Sequence, residues 1–300
     1  LPVGEEEFKA CRIAAELRPK VMRAVQPGKL IIELCEEVEE EIRRLGGEPA
    51  FPCNVGVNDV AAHYTSDITD NARIPRDGVV KIDFGVHVNG YIADTAFTVA
   101  LSPEHYPLVK AVEDALKAAV ESIKPGVKAG EVGAAVEKTI RGWGFKPIRN
   151  LMGHKLERFT LHAGKSIPNV SDLNGTRILE GELYAVEPFL TTLNGKGSVI
   201  ELGRGSIYRL HKEKGVKDMY AKELINKIRS RFYTLPFALR WLRDEMDNPG
   251  FTSTFGQLVA KGNIKVYPIL VEGGGEPVAQ AEHTILVTHD GCKILTGSSD

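Results

Sequence analysis

VVKIDFGVHVNGYIADTAFTV, residues 79–99, holds two β-rich runs joined by Asn89-Gly90. That dipeptide favours a two-residue type I′ hairpin, because both central positions take positive φ. With Asn89 and Gly90 as the loop, Val88 faces Tyr91 and Gly85 faces Asp94. Asp83 lies two residues before Gly85 and points to the same face, so Asp83 and Asp94 become diagonal neighbours with Cβ atoms about 7 Å apart or less. Gly85 places no side chain between them, which leaves room for an ion. Two acids on one apolar-flanked face repel when bare, since each charge raises the other's pKa and burial penalises both. From these residues alone a solvated hairpin face stays open as the alternative.

Three later residues are candidates to complete the cluster: His154 in NLMGHK, Glu187 in LYAVEP and Glu282 in VAQAEHT. Glu187 and Glu282 sit in apolar, strand-like runs where an unpaired carboxylate is costly. Four carboxylates are balanced by two divalent ions, and a neutral imidazole adds a nitrogen ligand without charge. Such a shell suits Mn, Fe, Co or Zn better than Ca, and two ions ~3.5–4 Å apart can bridge and activate one water. Spacing does not assemble these five residues, because three of them are isolated in the sequence.

Working outward, the chain repeats itself at an offset of 98: VQPGKLIIELCEEVEEEIRRLGGEP from Val25 lies over IKPGVKAGEVGAAVEKTIRGWGFKP from Ile123. Pro27 matches Pro125, Gly28 matches Gly126, Gly46 matches Gly144 and Pro49 matches Pro147. Each copy reads as an amphipathic helix, a Pro-Gly break, a second helix and a glycine stop. RDGVVKIDFG from Arg76 corresponds loosely to LEGELYAVEPF from Leu179, and His63 and His162 occupy similar places. Chance similarity of helical segments is the plain alternative. True copies would pair about a pseudo-twofold axis with polar residues converging near it. After Glu187 the pattern departs: a charged, helical stretch from about Lys212 to Asn248 suggests an inserted helical subdomain over 205–262. The catalytic domain is then expected at 1–204 and 263–300, with strands Ile264 to Val271 and Pro277 to Thr288 rejoining the main sheet.

Of the 300 residues, 43% are hydrophobic and 26% charged, and 38 Lys+Arg against 40 Asp+Glu leave a net charge of −2. This is globular composition with no bulk electrostatic case for nucleic-acid or anionic-membrane binding. No apolar run is long enough for a membrane span, and LPVGEEEFKA lacks the regions of a signal peptide, so a cytoplasmic protein is expected. Cys11, Cys35, Cys53 and Cys292 form no C-x-x-C pair and read as reduced structural thiols. The opening on Leu1 rather than methionine leads us to expect trimming or missing upstream residues.

FPCNVGVNDVAAHYT around His63, KIDFGVHVNGYIADTAFTV, LMGH with LHAGKSIPNV, YAVEPF and QAEHTILV together resemble the type II methionine aminopeptidases, especially the short archaeal form, over essentially the whole chain. The resemblance implies an α+β pita-bread (creatinase/aminopeptidase) fold with two divalent metal ions. Asp94 and Glu282 would bridge both ions, Asp83 would serve one, and His154 with Glu187 the other. It implies removal of initiator methionine from nascent chains whose second residue is small, by attack of a metal-bridging hydroxide. Glu187 would transfer protons, His162 would hydrogen-bond the scissile carbonyl, and His63 would contact the peptide group or leaving nitrogen. Phe51, Leu161, His162 and Tyr267 would surround the methionine side chain, with His63 at the rim.

The expected partners are nascent polypeptide N-termini, with the ribosome a candidate location, and the expected state is a monomer. The charged N-terminal extension of eukaryotic members is not seen in this sequence, so tethering through it is not supported. Departures are Lys155 and the run through Phe159, and the alanine before Glu282, where relatives often carry an aromatic. Asp83-Phe84-Gly85 spells a kinase motif without its companions. An X-Pro aminopeptidase or prolidase of the same fold is the enzymatic alternative, against which the insertion and the want of a large N-terminal domain argue. A metal-free binding relative is the other alternative, against which the complete ligand set argues.

Overall fold

In a computed structural model that describes residues 4–173 and 175–297, the repeat is visible bond by bond. Leu1, on which the expectation of trimming rests, lies outside the described residues. Helices α1 (Glu5–Ala24) and α2 (Ile31–Arg44) lead into strands β1 (Glu48–Val57), β2 (Val60–Ala62), β3 (Val79–Val88) and β4 (Tyr91–Ala100). Helices α3 (Tyr106–Ser122) and α4 (Ala129–Gly142) lead into β5 (Lys146–Pro147), β6 (Met152–Leu156), β7 (Ser166–Pro168), β8 (Leu183–Val186) and β9 (Phe189–Thr191). Helix α2 buries Ile31, Leu34, Cys35, Val38 and Ile42, and α4 buries Ala129, Val132, Gly133, Val136 and Ile140, each 98 positions later. This is the 3.6-residue stripe of a helix lying on a sheet.

The punctuation is repeated too. Gly46 and Gly144 take φ of 81° and 80° after their helices. Gly47 N donates to Ile42 O and Phe145 N to Ile140 O, both at 3.1 Å, so each helix ends in a Schellman motif. Before each helix, Gly28 N donates to Ile74 O and Gly126 N to Ile178 O at 2.8 Å. Arg73 and Arg177 return a guanidinium bond to the carbonyls of Gly28 and Gly126.

The main sheet runs β1-β3-β4-β14-β8-β6-β7, with β15 (Cys292–Ile294) on β14 (Glu282–Val287). Its order is palindromic about the β4·β14 seam, with β3 answering β8 and β1 answering β6. One core fills the space between α1, α2 and the first half-sheet, and another fills the space between α3, α4 and the second. The seam itself is short, pairing Glu282 with Ala96 and His283 with Thr95. Arg18 on α1 reinforces it, donating to Thr95 Oγ1 (2.6 Å), Ala96 O (2.8 Å) and Glu282 O (3.2 Å).

Beyond β9 comes β10 (Val199–Leu210), then α5 (Met219–Phe232), β11 (Phe237–Ala238), α6 (Arg243–Met246), α7 (Phe251–Ala260), β12 (Ile264–Glu272) and β13 (Val278–Gln280). The helices share their own core of Leu224, Ile228, Phe237, Phe251, Phe255 and Leu258. Residue 205, where the insertion was expected to begin, falls inside β10. The expectation that both late strand segments rejoin the main sheet needs correction. Only β14 does so; β12 pairs with β10 and β2, and β13 pairs with β9. The physical reason is that β14 already fills the place between β4 and β8, so the long β10 finds its partner in the returning β12.

A buried ion pair fastens this segment to the first half. Arg240 meets Glu39 of α2 and also donates to Ser66 O at 2.8 Å, while Glu39 accepts from Trp241 Nε1 (2.6 Å) and from Cys53 N (3.0 Å). Removing one partner strands a buried charge, so Arg240→Met should cost about 3–5 kcal/mol in denaturant unfolding. The double variant Glu39→Leu with Arg240→Met should lose less than the sum of the two single changes; strictly additive losses would show that the pair is not coupled.

Candidate metal centre and active site

The hairpin forms in the expected register: Gly85 faces Asp94, Val88 faces Tyr91, and Asn89 and Gly90 turn at φ of 50° and 88°. Asp83 and Asp94 therefore project from one face of β3 and β4. Across the seam, Glu282 opens β14 and Glu187 follows β8, with His154 on β6. The two half-sheets thus deliver their acids to one place. All five side chains line a single cavity of about 260 Å3, together with His63 and His162. Asp94, His154 and Glu282 each offer a ligand atom within 4.8 Å of the others. His154 Nε2 lies 3.7 Å from Asp94 Oδ2 and 3.5 Å from Glu187 Oε1.

Two of these acids are dry, Asp83 and Glu187 are part-buried, and three of the four carry an oxygen with no partner among the described residues. Asp94 is 3% exposed and Glu282 1%, and Asp83 Oδ1, Asp94 Oδ1 and Glu282 Oε2 have no hydrogen-bond partner among the described residues. Burial lifts the Asp83 carboxyl to about 7. Burial first, and then the charge of Asp83, lifts Asp94 well above the carboxylate range; Glu187 and Glu282 are lifted by burial and by the other acids. Burial depresses His154 to about 3, so its imidazole is neutral and free to ligate. Buried orphan oxygens beside a neutral imidazole are a donor set that fits divalent cations, because cations remove the repulsion that desolvation would otherwise impose.

Gly85 proves to serve a different purpose from the one expected of it. A Cβ there would collide with the Phe51 ring, so the missing side chain seats an aromatic wall beside the two aspartates rather than leaving a void for an ion. Phe51 faces Gly85 across the β1·β3 pairing, and its ring joins Leu156, Leu161 and Leu235 in a small apolar cluster. The alanine before Glu282 leaves no loose contact at that point, since Ala281 is 2% exposed in the core of the second half.

His63 follows β2, which pairs outside the main sheet, whereas His162 sits between β6 and β7 of that sheet; their likeness does not extend to strand pairing. His63 takes φ of 63°, a conformation uncommon for a non-glycine residue. Its Nδ1 lies 3.2 Å from Pro268 O, which can only accept, so Nδ1 carries the proton and Nε2 is left as acceptor. Burial pulls the His63 pKa down to about 4. His162 opens to solvent at the mouth with one ring face packed 4.3 Å from His154, and the desolvation of that face, then the Arg209 guanidinium, hold it below the ordinary histidine value. Tyr267 meets His63 edge to face at 5.2 Å.

Several site residues escaped the sequence reading. Ile207 and Pro236 line the cavity, Gln280 Nε2 donates to Glu187 Oε2 at 3.3 Å, and the Thr284 hydroxyl bonds both the N and O of Asp94 at 2.7 and 2.8 Å. Nothing local marks them; Ile207 lies on β10 and Pro236 just before β11, and Gln280 and Thr284 only flank Glu282. The run from Lys155 to Phe159 has a structural role. Lys155 pairs with Glu157 and Glu182, and Phe159 stacks on Tyr233 at 4.1 Å while its N donates to Gly90 O, clamping the hairpin to the end of α5.

Residues 7–234 match the model of Metallopeptidase family M24, and the chain belongs to this family. It is 43% identical over 293 residues to the methionine aminopeptidase of Methanocaldococcus jannaschii, covering 97% of this chain and 98% of that one. Among solved structures it resembles a thermophilic Arx1 (TM-score 0.83, 18% identity, 98% of this chain and 90% of that one) and the methionine aminopeptidase of Thermotoga maritima (TM-score 0.69, 23% identity, 98% and 96%). The palindromic sheet with its helices is the pita-bread fold of that family.

The raised carboxyls set the sign of a pH test. Asp83 moves from an ordinary 3.8 up to about 7, so the metal-free fold holds a proton that the unfolded chain releases. Stability from this group is present below about pH 4 and lost as pH rises through about 7. Thermal melts of chelated protein should therefore fall across that window, and adding Mn(II) should abolish the fall and raise the melting temperature at pH 7. Identical pH profiles with and without the ion would rule out cation binding at these acids.

Proposed function

We propose that the protein is a metal-dependent methionine aminopeptidase that removes the initiator methionine from nascent chains whose second residue is small. The observation that carries the reading is the convergence of Asp83, Asp94, Glu187, Glu282 and His154, with unpartnered buried oxygens, in a cavity that also holds two histidines. In this reading Asp83, Asp94, His154, Glu187 and Glu282 would hold two divalent ions (Mn, Fe, Co or Zn), with Asp94 and Glu282 serving both. When bound, such ions supply Lewis acidity and a nucleophilic water at neutral pH.

The chain's own groups do the rest. The free amine of the substrate enters at the Asp83 end, where the carboxylates favour a cationic or ion-coordinated nitrogen. His162 donates a hydrogen bond to the scissile carbonyl oxygen as charge develops there. His63 accepts at Nε2 from the substrate peptide N–H, the tautomer that its bond to Pro268 imposes. Glu187, steadied by the Gln280 amide, would carry a proton to the leaving nitrogen. Phe51, Leu161, Ile207, Pro236 and Tyr267 form an apolar sleeve that fits an unbranched thioether.

The inserted segment, placed at 205–262 from sequence, supplies Ile207 and Pro236 and narrows the space for the second residue. No helix among the described residues is long and apolar enough to cross a membrane. A cytoplasmic monomer meeting nascent N-termini near the ribosome agrees with this reading.

Chelator-stripped protein given Mn(II) or Co(II) should cleave Met-Gly peptides and leave acetyl-Met-Gly and X-Pro peptides intact. Asp94→Asn should abolish turnover with the fold retained. His63→Ala should keep both ions and lose about 100-fold in kcat, the low end for a positioned proton partner. Preference for X-Pro would transfer the protein to the prolidase class, and no cleavage with any ion would leave a binding protein.

A further inference from the structure

The catalytic cavity opens into a second one of about 300 Å3, and the two share Leu161, His162, Pro236 and Tyr267. None of the clustered carboxylates reaches the second cavity; its outer wall carries Arg209 and Thr234 instead. The register of β10 and β12 explains this gradient. Ile207 pairs with Tyr267, and the next rung on the same face pairs Arg209 with Lys265. The strands thus run from an apolar rung inside the catalytic cavity to a doubly cationic rung about 6.7 Å further out, two residues along.

Like charges directly opposite each other are destabilising. Here they persist with no acidic partner: neither Arg209 nor Lys265 makes an ion pair among the described residues. His211 follows on the same wall. The Arg209 charge is near enough to bear on both His162 and Tyr267. An uncompensated cationic rung at the exit of an active cavity is what an anionic ligand would satisfy.

We propose that this second cavity is a downstream subsite that binds an acidic side chain at the third or fourth residue of the substrate, with Arg209 on its wall as the specificity-determining residue and the exposed Lys265, opposite it on β12 but outside the lining, adding charge at the exit. The inference rests on the aminopeptidase reading above. If the amine is held at the carboxylates, the rest of the peptide leaves past His162 and next meets the wall that carries Arg209, His211 and Thr234. An extended chain advances ~3.3 Å per residue, which brings residues two to three places beyond the methionine level with the cationic rung.

The test uses the metal-loaded full chain and amidated peptides Met-Gly-X-Gly and Met-Gly-Gly-X, with X as Asp, Asn or Lys. Asp should exceed Lys in kcat/KM by about ten-fold at one of the two positions, chiefly through KM, the scale of one partly exposed charge-assisted hydrogen bond. The ratio should shrink in 1 M salt and fall to near one in Arg209→Gln/Lys265→Gln. Each ratio is taken within one preparation, so partial loss of active enzyme cancels. Equal cleavage of all peptides by the parent chain, or an Asp preference that survives the double change, would overturn the subsite alone. No cleavage of any peptide would fail the aminopeptidase reading instead. A labelled oligoribonucleotide that bound through these two residues, with no peptide preference, would assign the rung to nucleic acid and also overturn the proposal.

Discussion

Four carboxylates brought to one cavity wall, two of them fully buried and two part-buried, are the constraint around which this molecule is organised. Each would be costly in a dry interior, and together they repel. Placing them at the meeting of two half-sheets makes neither half responsible for the whole charge: β3 and β4 bring Asp83 and Asp94, β8 and β14 bring Glu187 and Glu282. The seam between the halves is only two residue pairs long, so side chains hold it shut. Thr95 Oγ1 donates to Glu282 O, Thr284 bonds the backbone of Asp94, and the Arg18 guanidinium spans β4 and β14 from behind. Arg18 also sits close enough to oppose the rise of the Glu282 pKa.

The duplication explains how so unfavourable a centre can be built. Each copy is a helix pair on a half-sheet with its own apolar core, and the helix stops, the positive-φ glycines and the Arg-to-carbonyl clasps recur in both. Stability accumulates in the two cores, which take Ile82, Phe84, Ala93, Val186 and Ala281, the chain neighbours of the acids, and the acids themselves occupy the boundary that neither core fills. The β11-β10-β12-β2 sheet and helices α5 to α7 close the remaining side. Their anchor is the buried Glu39–Arg240 pair, which ties residues more than two hundred positions apart and holds Pro236 at the cavity wall.

Local signals were legible to the degree that they were short-range. Asn89-Gly90 and strict alternation determined the hairpin register, and the offset of 98 carries α2 onto α4 residue for residue. Long-range pairing was not legible. Nothing in Ile264–Val271 says that it will choose β10 over the main sheet, because an alternating strand fits either edge. The purpose of Gly85 was misjudged for the same reason: the Phe51 ring that needs its space comes from a strand paired through β-bulges, whose register cannot be counted from sequence. His154, Glu187 and Glu282 reached the site only through family resemblance, while Gln280, Thr284 and Ile207 had no motif to declare them.

The cavity therefore grades from a fully buried, anionic end through an apolar sleeve to a cationic exit, and a cation at the anionic end is what makes the gradient tolerable. The most direct measurement is equilibrium dialysis of the full chain against Mn(II), with elemental analysis, for the parent sequence and for Glu282→Gln. Two ions per chain in the parent and weakened binding of both in the variant are expected, since that carboxylate would be shared. Unchanged stoichiometry and affinity in Glu282→Gln would contradict a centre built on the seam.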